Sequence, residues 1–520
     1  MPTRPQENWT IVKPAVVSAN GIVVAQNARA AAVGADILAA GGNAVDAAVG
    51  TALALGVVEP WMSGIGGVGF LVYGDAAAGK IHVVDFSAVA PLALDPGRYP
   101  LSAGTSGELF GWPRVEGDRN LRGYEAICVP GSVDGLGLAV ERFGRLSWGE
   151  IIAPARDLAA EGLPVDWHTA LSLALSAEEL REFASSRDVY LQGGLPPVPP
   201  PGGGKKRLPL SALAATYRRL GEAGPRDFYE GELAAAMVAD LRAGGNVITA
   251  EDFARYRARI VEPLTFDYRG VRLHVTPGLA GGRTFAHAMA AVAGRLTPGA
   301  GRPGAEAFTA YAETLRAAFT ARFAELGHAM PNATNTTHLS VVDRQGNMVA
   351  LTNTLLSRFG SKVVLPRTGV TMNNAVLWFD PVPGRANSIA PGKRPLANMC
   401  PVLATRDGAP WLALGACGGR RIIPAVTQIT SFLIDFGLSL EDAFAMPRID
   451  ASEASILCDD RLPPEIVAAL AARFPVDMVE ATVYPPLFAM PSAVLREGGV
   501  NIGMTHILSP AAAAVAAPTA

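Results

Sequence analysis

Two adjacent threonines, Thr336 and Thr337, followed by His338, stand at the head of the apolar run LSVVD in the middle of a 520-residue chain, within the stretch TNTTH that begins at Thr334. A threonine hydroxyl is a poor nucleophile unless a base lies beside it. One such base is the residue's own α-amino group, whose pKa of about 7.7–8.0 lets it accept a proton at neutral pH. An internal threonine has no free α-amine. For Thr336 to act this way the bond between Asn335 and Thr336 must first be cut, and the Thr336 hydroxyl is the natural group to cut it by attacking the Asn335 carbonyl; the resulting ester is then hydrolysed. The residues alone leave a second reading open, in which both threonines are ordinary β-branched residues entering a strand. His338, on the alternate face, reads as packing rather than as a base, because the α-amine already fills that role. Gly64, Gly66 and Gly69 in SGIGGVGF satisfy GxGxxG, but a helical pattern precedes them and a strand follows, the reverse of a dinucleotide fingerprint, so they read as a tight turn with close backbone packing. No HExxH or paired-histidine spacing occurs, so neither metal nor cofactor is expected.

The elements around these residues alternate between helix and strand patterns. GIVVAQN reads as a strand, followed by an Ala-rich helix ending at Gly41 and Gly42 and a second small-residue helix opened by Asn43. Small residues on consecutive helices predict close helix packing over a sheet. GFLVYGD and KIHVVDFS predict a hairpin-like strand pair. LPPVPPPGGGKK, Leu195 to Lys206, cannot hold a helix or a ladder and reads as an exposed loop. Helical patterns are expected from there to about Leu326, with Thr249 starting a helix in ITAEDFARY. From Thr337 strands take over as HLSVVD and NMVALTNTL, joined by the turn DRQGN. A mixed segment follows from Trp411 to about Arg496, and the tail SPAAAAVAAPTA is expected to fray. Asp46 and Glu59, flanking the second helix, read as a helix-face charge and a loop residue rather than an acid/base pair.

Nearly half the residues are apolar and the net charge is −3, which fits a globular chain with ample length for a large core. With a pI of 6.2 and scattered Lys and Arg there is no basic stripe, so no nucleic-acid partner is expected. No apolar stretch reaches the roughly 20 residues of a membrane span, and the first residues lack a signal-like h-region, so the expectation is a cytoplasmic enzyme without a membrane partner. Cys128, Cys400, Cys417 and Cys458 are far apart and read as reduced core residues.

The ordered series GIVVAQN with GGNAVDAA, then SGIGGVGF, VVDFSAVAP, DFYEGELA, ITAEDFARY, FDYRG, TTHLSVVD, GKRPLANM and GACGGRRI resembles the gamma-glutamyltransferase family of N-terminal-nucleophile hydrolases. The resemblance spans about Gly21 to Arg448. It implies an α/β chain folded as a four-layer αββα sandwich, made as a proenzyme that splits between Asn335 and Thr336 into a large subunit, 1–335, and a small one, 336–520, with a dimer of such pairs also compatible. It implies Thr336 as the nucleophile, Thr354 as the second threonine that orients it, and backbone N–H groups of Gly418 and Gly419 as the oxyanion hole.

The substrate pocket departs from the family pattern. Ser87 stands where the family's FRxxAP arginine holds the glutamyl α-carboxylate, and Leu356 replaces the asparagine two residues beyond the second threonine. Ala375 and Trp378 replace the glutamine and aspartate that gather the α-amino group, and Ala397 and Asn398 replace the paired serines of PLSSM. Losing these groups leaves a glutamyl zwitterion without its clamp, and a buried carboxylate without a cation costs several kcal/mol. Arg420, directly after the Gly-Gly pair, offers a bidentate partner to a short dicarboxylic half-amide such as an oxamate-like substrate; the alternative is a surface or subunit-interface ion pair. Arg421 reads as structural. Trp378 and Leu356 also suit an acylase acting on a larger flat amide. The expected function is therefore a self-processing amide hydrolase with a non-glutamyl small-molecule substrate. The alternatives are a true gamma-glutamyltransferase with a rebuilt clamp and a non-catalytic binding relative.

Overall fold

The computed structural model describes residues 11–105, 113–327 and 335–519. Thr334 lies outside the described residues. Two seven-stranded antiparallel sheets stack face to face. The first runs, in spatial order, Ala513–Ala516, Ile22–Ala25, Asn335–Val342, Met348–Leu356, Val68–Asp75, Lys80–Phe86 and Arg259–Val261. The second runs Val16–Ser18, Val500–Thr505, Met490–Glu497, Ala409–Cys417, Val402–Arg406, Val271–Val275 and Leu264–Tyr268.

Period-2 alternation assigns the faces. Leu339, Val341, Val349 and Leu351 pack with the helices Ala28–Ala39 and Ala44–Val58. Val342, Met348, Ala350, Val72 and Val83 meet Leu403, Ala413 and Val494 of the other sheet. A third apolar layer joins the outer face of the second sheet to the helices Gly282–Arg295, Ala305–Leu326 and Ile422–Ile434. The order is helix, sheet, sheet, helix, the expected αββα sandwich. No helix among the described residues is long and apolar enough to cross a membrane.

The local signals act as read at several points. Asn43 caps Ala44–Val58 in a reciprocal box with Asp46, and Thr249 does the same with Asp252. The two small-residue helices touch so closely that a Cβ on Gly34 would lie 2.2 Å from Thr51 Oγ1. All four cysteines are buried and free. The glycines at 66 and 69 serve close packing, since added Cβ atoms would meet Thr371 O at 2.3 Å and Thr352 O at 2.1 Å.

Two expectations are corrected. The stretch to Leu326 is not helical throughout, because Arg259–Val261, Leu264–Tyr268 and Val271–Val275 are strands; the two hairpin strands alternate and turn at Arg269–Gly270, a period the surrounding helices obscured. The alanine-rich tail does not fray: Ala513–Ala516 pairs with Ile22–Ala25, and small side chains let it lie flat as an edge strand. Asp46 and Glu59 keep the places read for them, in the second helix and just after it, and both are buried. Asp46 is fully buried and accepts from the backbone N–H of Asn43 and Arg145, and Glu59 is 2% exposed.

Candidate functional site

The register places Thr336 opposite Thr354, and Thr354 opposite Val68. Gly69 pairs with Phe86, so Ser87 falls level with Val68. Thr336, Thr354, Val68 and Ser87 therefore form one row across four neighbouring strands, roughly 14 Å from end to end at the usual strand spacing. Alternation sends Thr336, like His338 and Ser340, into the space between the sheets and Thr337 toward the helices. Thr336 and Thr354 are both buried, with their Oγ1 atoms 3.1 Å apart.

The strand end is irregular here. The ladder slips between Asn335 and Thr336, so that Asn335 faces Leu356 and Leu355 is bulged out. Leu356 adopts φ +84°, a left-handed conformation unfavourable to a leucine, and its N–H donates to Thr354 Oγ1 at 2.8 Å. Asn353 Oδ1 accepts from Thr354 N–H and, at 2.7 Å, from Ser132 Oγ. The Thr354 hydroxyl is thus held by the Leu356 N–H, while Asn353 holds the Thr354 backbone N–H.

His338 lies fully buried between Thr352 and Ser340, with ring nitrogens 2.9 and 3.2 Å from their hydroxyls. Burial pushes its pKa down to about 3, so the ring is neutral. It packs on Gly415 of the other sheet, where a Cβ would lie 2.2 Å from the ring. Two residues on, Cys417 Sγ accepts from Gln26 Nε2 at 3.1 Å. The chain then turns through Gly418, φ 135°, and Gly419, φ 62°, into Ile422–Ile434. Both glycines occupy positive φ, and a Cβ on Gly418 would lie 2.8 Å from Ala489 Cα. This turn leaves the second sheet at the end where Thr336 enters the first.

Over the row sits an apolar cluster. Leu356, Ala375, Trp378 and Ala397 all belong to it, with Val68 and Phe70. Four of the positions at which the sequence departs from the family pattern thus belong to one apolar cluster. The Trp378 indole Nε1 is buried there with no hydrogen-bond partner among the described residues.

Ser87 donates from Oγ to Asp85 at 2.6 Å and accepts from Arg394 at 2.8 Å. Arg394 also lies 3.5 Å from Asp85, which Arg259 contacts from the strand beyond. These arginines hold the Asp85 carboxyl below the ordinary carboxylate range against the opposing effect of its burial. The four side chains line an open cavity of about 270 Å³ with Phe70 and Leu279. Sequence reasoning had not assigned Arg394 a role, although GKRPLANM carried it.

Arg420 is only 8% exposed and its guanidinium carbon stands 4.7 Å over the Phe323 ring. It is therefore a buried group and not a surface one. Burial, reinforced by nearby Arg322, brings its pKa down to about 9. Arg322, also missed, donates to the carbonyls of Ala280 and Ala397, to Thr284 Oγ1 and to Asn398 Oδ1. Asn398 Nδ2 is buried and makes no hydrogen bond among the described residues. Arg421 pairs with Asp450 and Glu453, a structural role. No group of three or more metal-ligating side chains occurs among the described residues.

Comparisons with known proteins bear on the family and the fold. The gamma-glutamyltranspeptidase family model matches residues 30–331 and 325–500. The acylase ACY 1 proenzyme of Pseudomonas sp. (strain V22) is 32% identical over 504 residues, covering 90% of this chain and 88% of that protein. The glutathione hydrolase proenzyme of Pseudomonas sp. (strain A14) is 32% identical over 480 residues, covering 82% and 81%. The crystal structure of cephalosporin acylase from Bacillus halodurans superposes with a TM-score of 0.84 at 27% identity, covering 99% of both chains. The chain belongs to the gamma-glutamyltranspeptidase family and is an enzyme of the N-terminal-nucleophile hydrolase type.

Proposed function

We propose that this enzyme is a self-processing amide hydrolase that uses Thr336 as its nucleophile on a non-glutamyl substrate. The observation that carries the reading is the 3.1 Å approach of the Thr336 and Thr354 hydroxyls on the inter-sheet face, at the strand end where the glycine turn of the opposing sheet emerges. In maturation the Thr336 oxygen attacks the Asn335 carbonyl, the peptide becomes an ester, and water releases Asn335 as a carboxylate and Thr336 as a free amine. The segments 1–335 and 336–520 are then the two subunits. In turnover the α-amine takes the hydroxyl proton, Thr336 Oγ1 attacks the substrate amide, and the N–H groups of Gly418 and Gly419 receive the oxyanion. Each such donor is typically worth about 2.7–4 kcal/mol. The amine leaves with the proton, and water cleaves the acyl-enzyme.

The acyl group meets the cluster of Leu356, Ala375, Trp378 and Ala397, which favours an apolar body. Arg420 and the unpaired Asn398 Nδ2 favour a terminal carboxylate, as in a dicarboxylic half-amide. A glutamyl donor is the second reading, and Arg394 beside Ser87 is the observation in its favour. Arg394 shares the single Asp85 carboxylate with Arg259, so the cluster of two arginines and one aspartate keeps a positive charge that such a donor would use.

The test is mass analysis of the purified protein beside Thr336→Ala, followed by hydrolysis of 4-nitroanilides of γ-glutamate, simple acyl groups and dicarboxylic half-amides. Cleavage between Asn335 and Thr336 in the unmodified chain alone, with turnover of the non-glutamyl anilides, is expected. An uncut chain would point to a binding relative, and preferential γ-glutamyl turnover to a rebuilt clamp.

A further inference from the structure

We infer that a cleft on the helix side of the site, bordered by Glu59, Trp61, Trp167, His168, Arg358 and Tyr484, is a second subsite that receives the amine half of the substrate and prefers a flat aromatic amine bearing a carboxylate. The inference rests on the proposed amide hydrolysis for its place in turnover, and on the cleft itself for its ligand chemistry.

The position follows from four contacts. Met62 O accepts from Leu355 N–H at 3.2 Å and Trp61 O from Phe359 N–H at 3.0 Å. Gln26, also on the cleft wall, donates to Cys417 Sγ, and Met490 pairs with Cys417 across the ladder. The walls are thus bonded directly to the residue after Thr354 and to the residue before Gly418. Leu356 belongs to the apolar acyl cluster, whereas the adjacent Leu355 contacts the cleft wall. An amide held at Thr336 has its acyl half on one side of this strand end and the cleft beside the other.

The lining indicates what fits. The cleft holds about 60 Å³ of internal space behind an open mouth, which limits its occupant to a single flat ring. Trp61 and His168 meet edge to face at 5.5 Å, and Trp167 and His168 lie 5.6 Å apart, so the walls already present aromatic faces and edges. Arg358 supplies the polar anchor. Its Nε is buried and makes no hydrogen bond among the described residues, although the Tyr484 hydroxyl engages the guanidinium elsewhere. A buried donor left unmade is costly, and a carboxylate is the acceptor that arginine geometry matches best. The other titratable groups on the wall do not cancel this charge. Burial raises the Glu59 carboxyl to about pH 8, leaving it mostly protonated at neutral pH, and lowers His168 so that it is neutral.

The test is isothermal titration calorimetry of the purified full-length protein with 4-aminobenzoate and with aniline. The expected result is at least tenfold tighter binding of 4-aminobenzoate, with the difference lost in Arg358→Gln. Leu175→Trp, at a rim position that is 44% exposed and tolerant of change, should weaken both amines. A matched kinetic pair, acyl-aminobenzoate against acyl-anilide, should show the same Arg358-dependent difference in KM. Equal binding of the two amines, a difference that survives Arg358→Gln, or no binding of either overturns the inference. Failure of the Thr336 reading is separate: it appears as an uncut chain, whatever the amines do.

Discussion

Glu59→Gln is expected to stabilise the protein selectively at alkaline pH. Glu59 is buried at the C-terminal end of Ala44–Val58, and its Oε1 accepts only a 3.3 Å bond from Asn27 Nδ2. Burial raises its pKa from 4.5 to about 8; the Asn27 hydrogen bond works in the opposite direction and the charge of Asp166 adds to the rise. In the unfolded chain the carboxyl releases its proton near 4.5, whereas the folded protein keeps it to about 8. Between these values the folded state binds more protons, so stability falls as pH rises and the loss is complete above the folded pKa. The displacement is roughly 3.5 units (8 minus 4.5), and at about 1.36 kcal/mol per unit the penalty accumulated between pH 5 and pH 9 is about 4 kcal/mol. Glutamine keeps the oxygen that Asn27 bonds and cannot ionise. Denaturant unfolding of both proteins at pH 5 and pH 9 gives a double difference in which all other titrating groups cancel. A value below about 1 kcal/mol would refute the reasoning, because it would mean that the carboxylate ionises freely in the folded protein.

Thr354→Val should slow both self-cleavage and amide turnover by about 10²-fold or more, since it removes the hydroxyl 3.1 Å from Thr336 Oγ1; fragment appearance on denaturing gels and kcat report the two rates. Gly418→Ala forces φ 135° on a residue with a Cβ and crowds Ala489, so kcat should fall by about 10²–10³ while KM changes little. The pH profile of kcat/KM should rise through an apparent pKa of about 7–8, because the α-amine must be unprotonated to accept the hydroxyl proton. No inflection should come from His338, whose pKa of about 3 lies below that range; a limb that vanishes when His338 is replaced would refute the α-amine as base.

The fold was legible where local and long-range signals agree. Asn43 and Thr249 carry their caps in sequence, and the alternation of TTHLSVVD gives the face on which Thr336 lies. The hairpin strands at 264–275 were hidden because helices lie on both sides of them, although Leu264–Tyr268 alternates in burial as a strand does. The tail was misread because alanines carry no strand signal, and its ladder partner is nearly five hundred residues away. Within the site, positions matching the motif series were found, but Arg394, Arg322 and Arg358 were not. Their significance comes from which carboxylate, carbonyl or cavity each one faces, and spacing along a chain does not encode that.

The altered pocket is better understood as one coordinated repacking than as a set of losses. Leu356, Ala375, Trp378 and Ala397 come from three separated segments, yet they occupy a single apolar cluster beside Thr354. A lone polar residue among three apolar partners would be buried without compensation, at a cost of roughly 2–7 kcal/mol, so each replacement removes the environment that made the next polar group tolerable. Nor is Ser87 simply a missing cation: the guanidinium of Arg394 stands beside it, sharing the Asp85 carboxylate with Arg259. The groups proposed for the chemistry, Thr336, Thr354, Gly418 and Gly419, depend on backbone geometry: the hydroxyl pair is set by strand register and the glycine turn by its positive φ angles. Under the proposed function, chemistry and selectivity therefore rest on different physical supports, backbone geometry for the one and side-chain packing for the other, so the acyl group can change while the reaction stays the same.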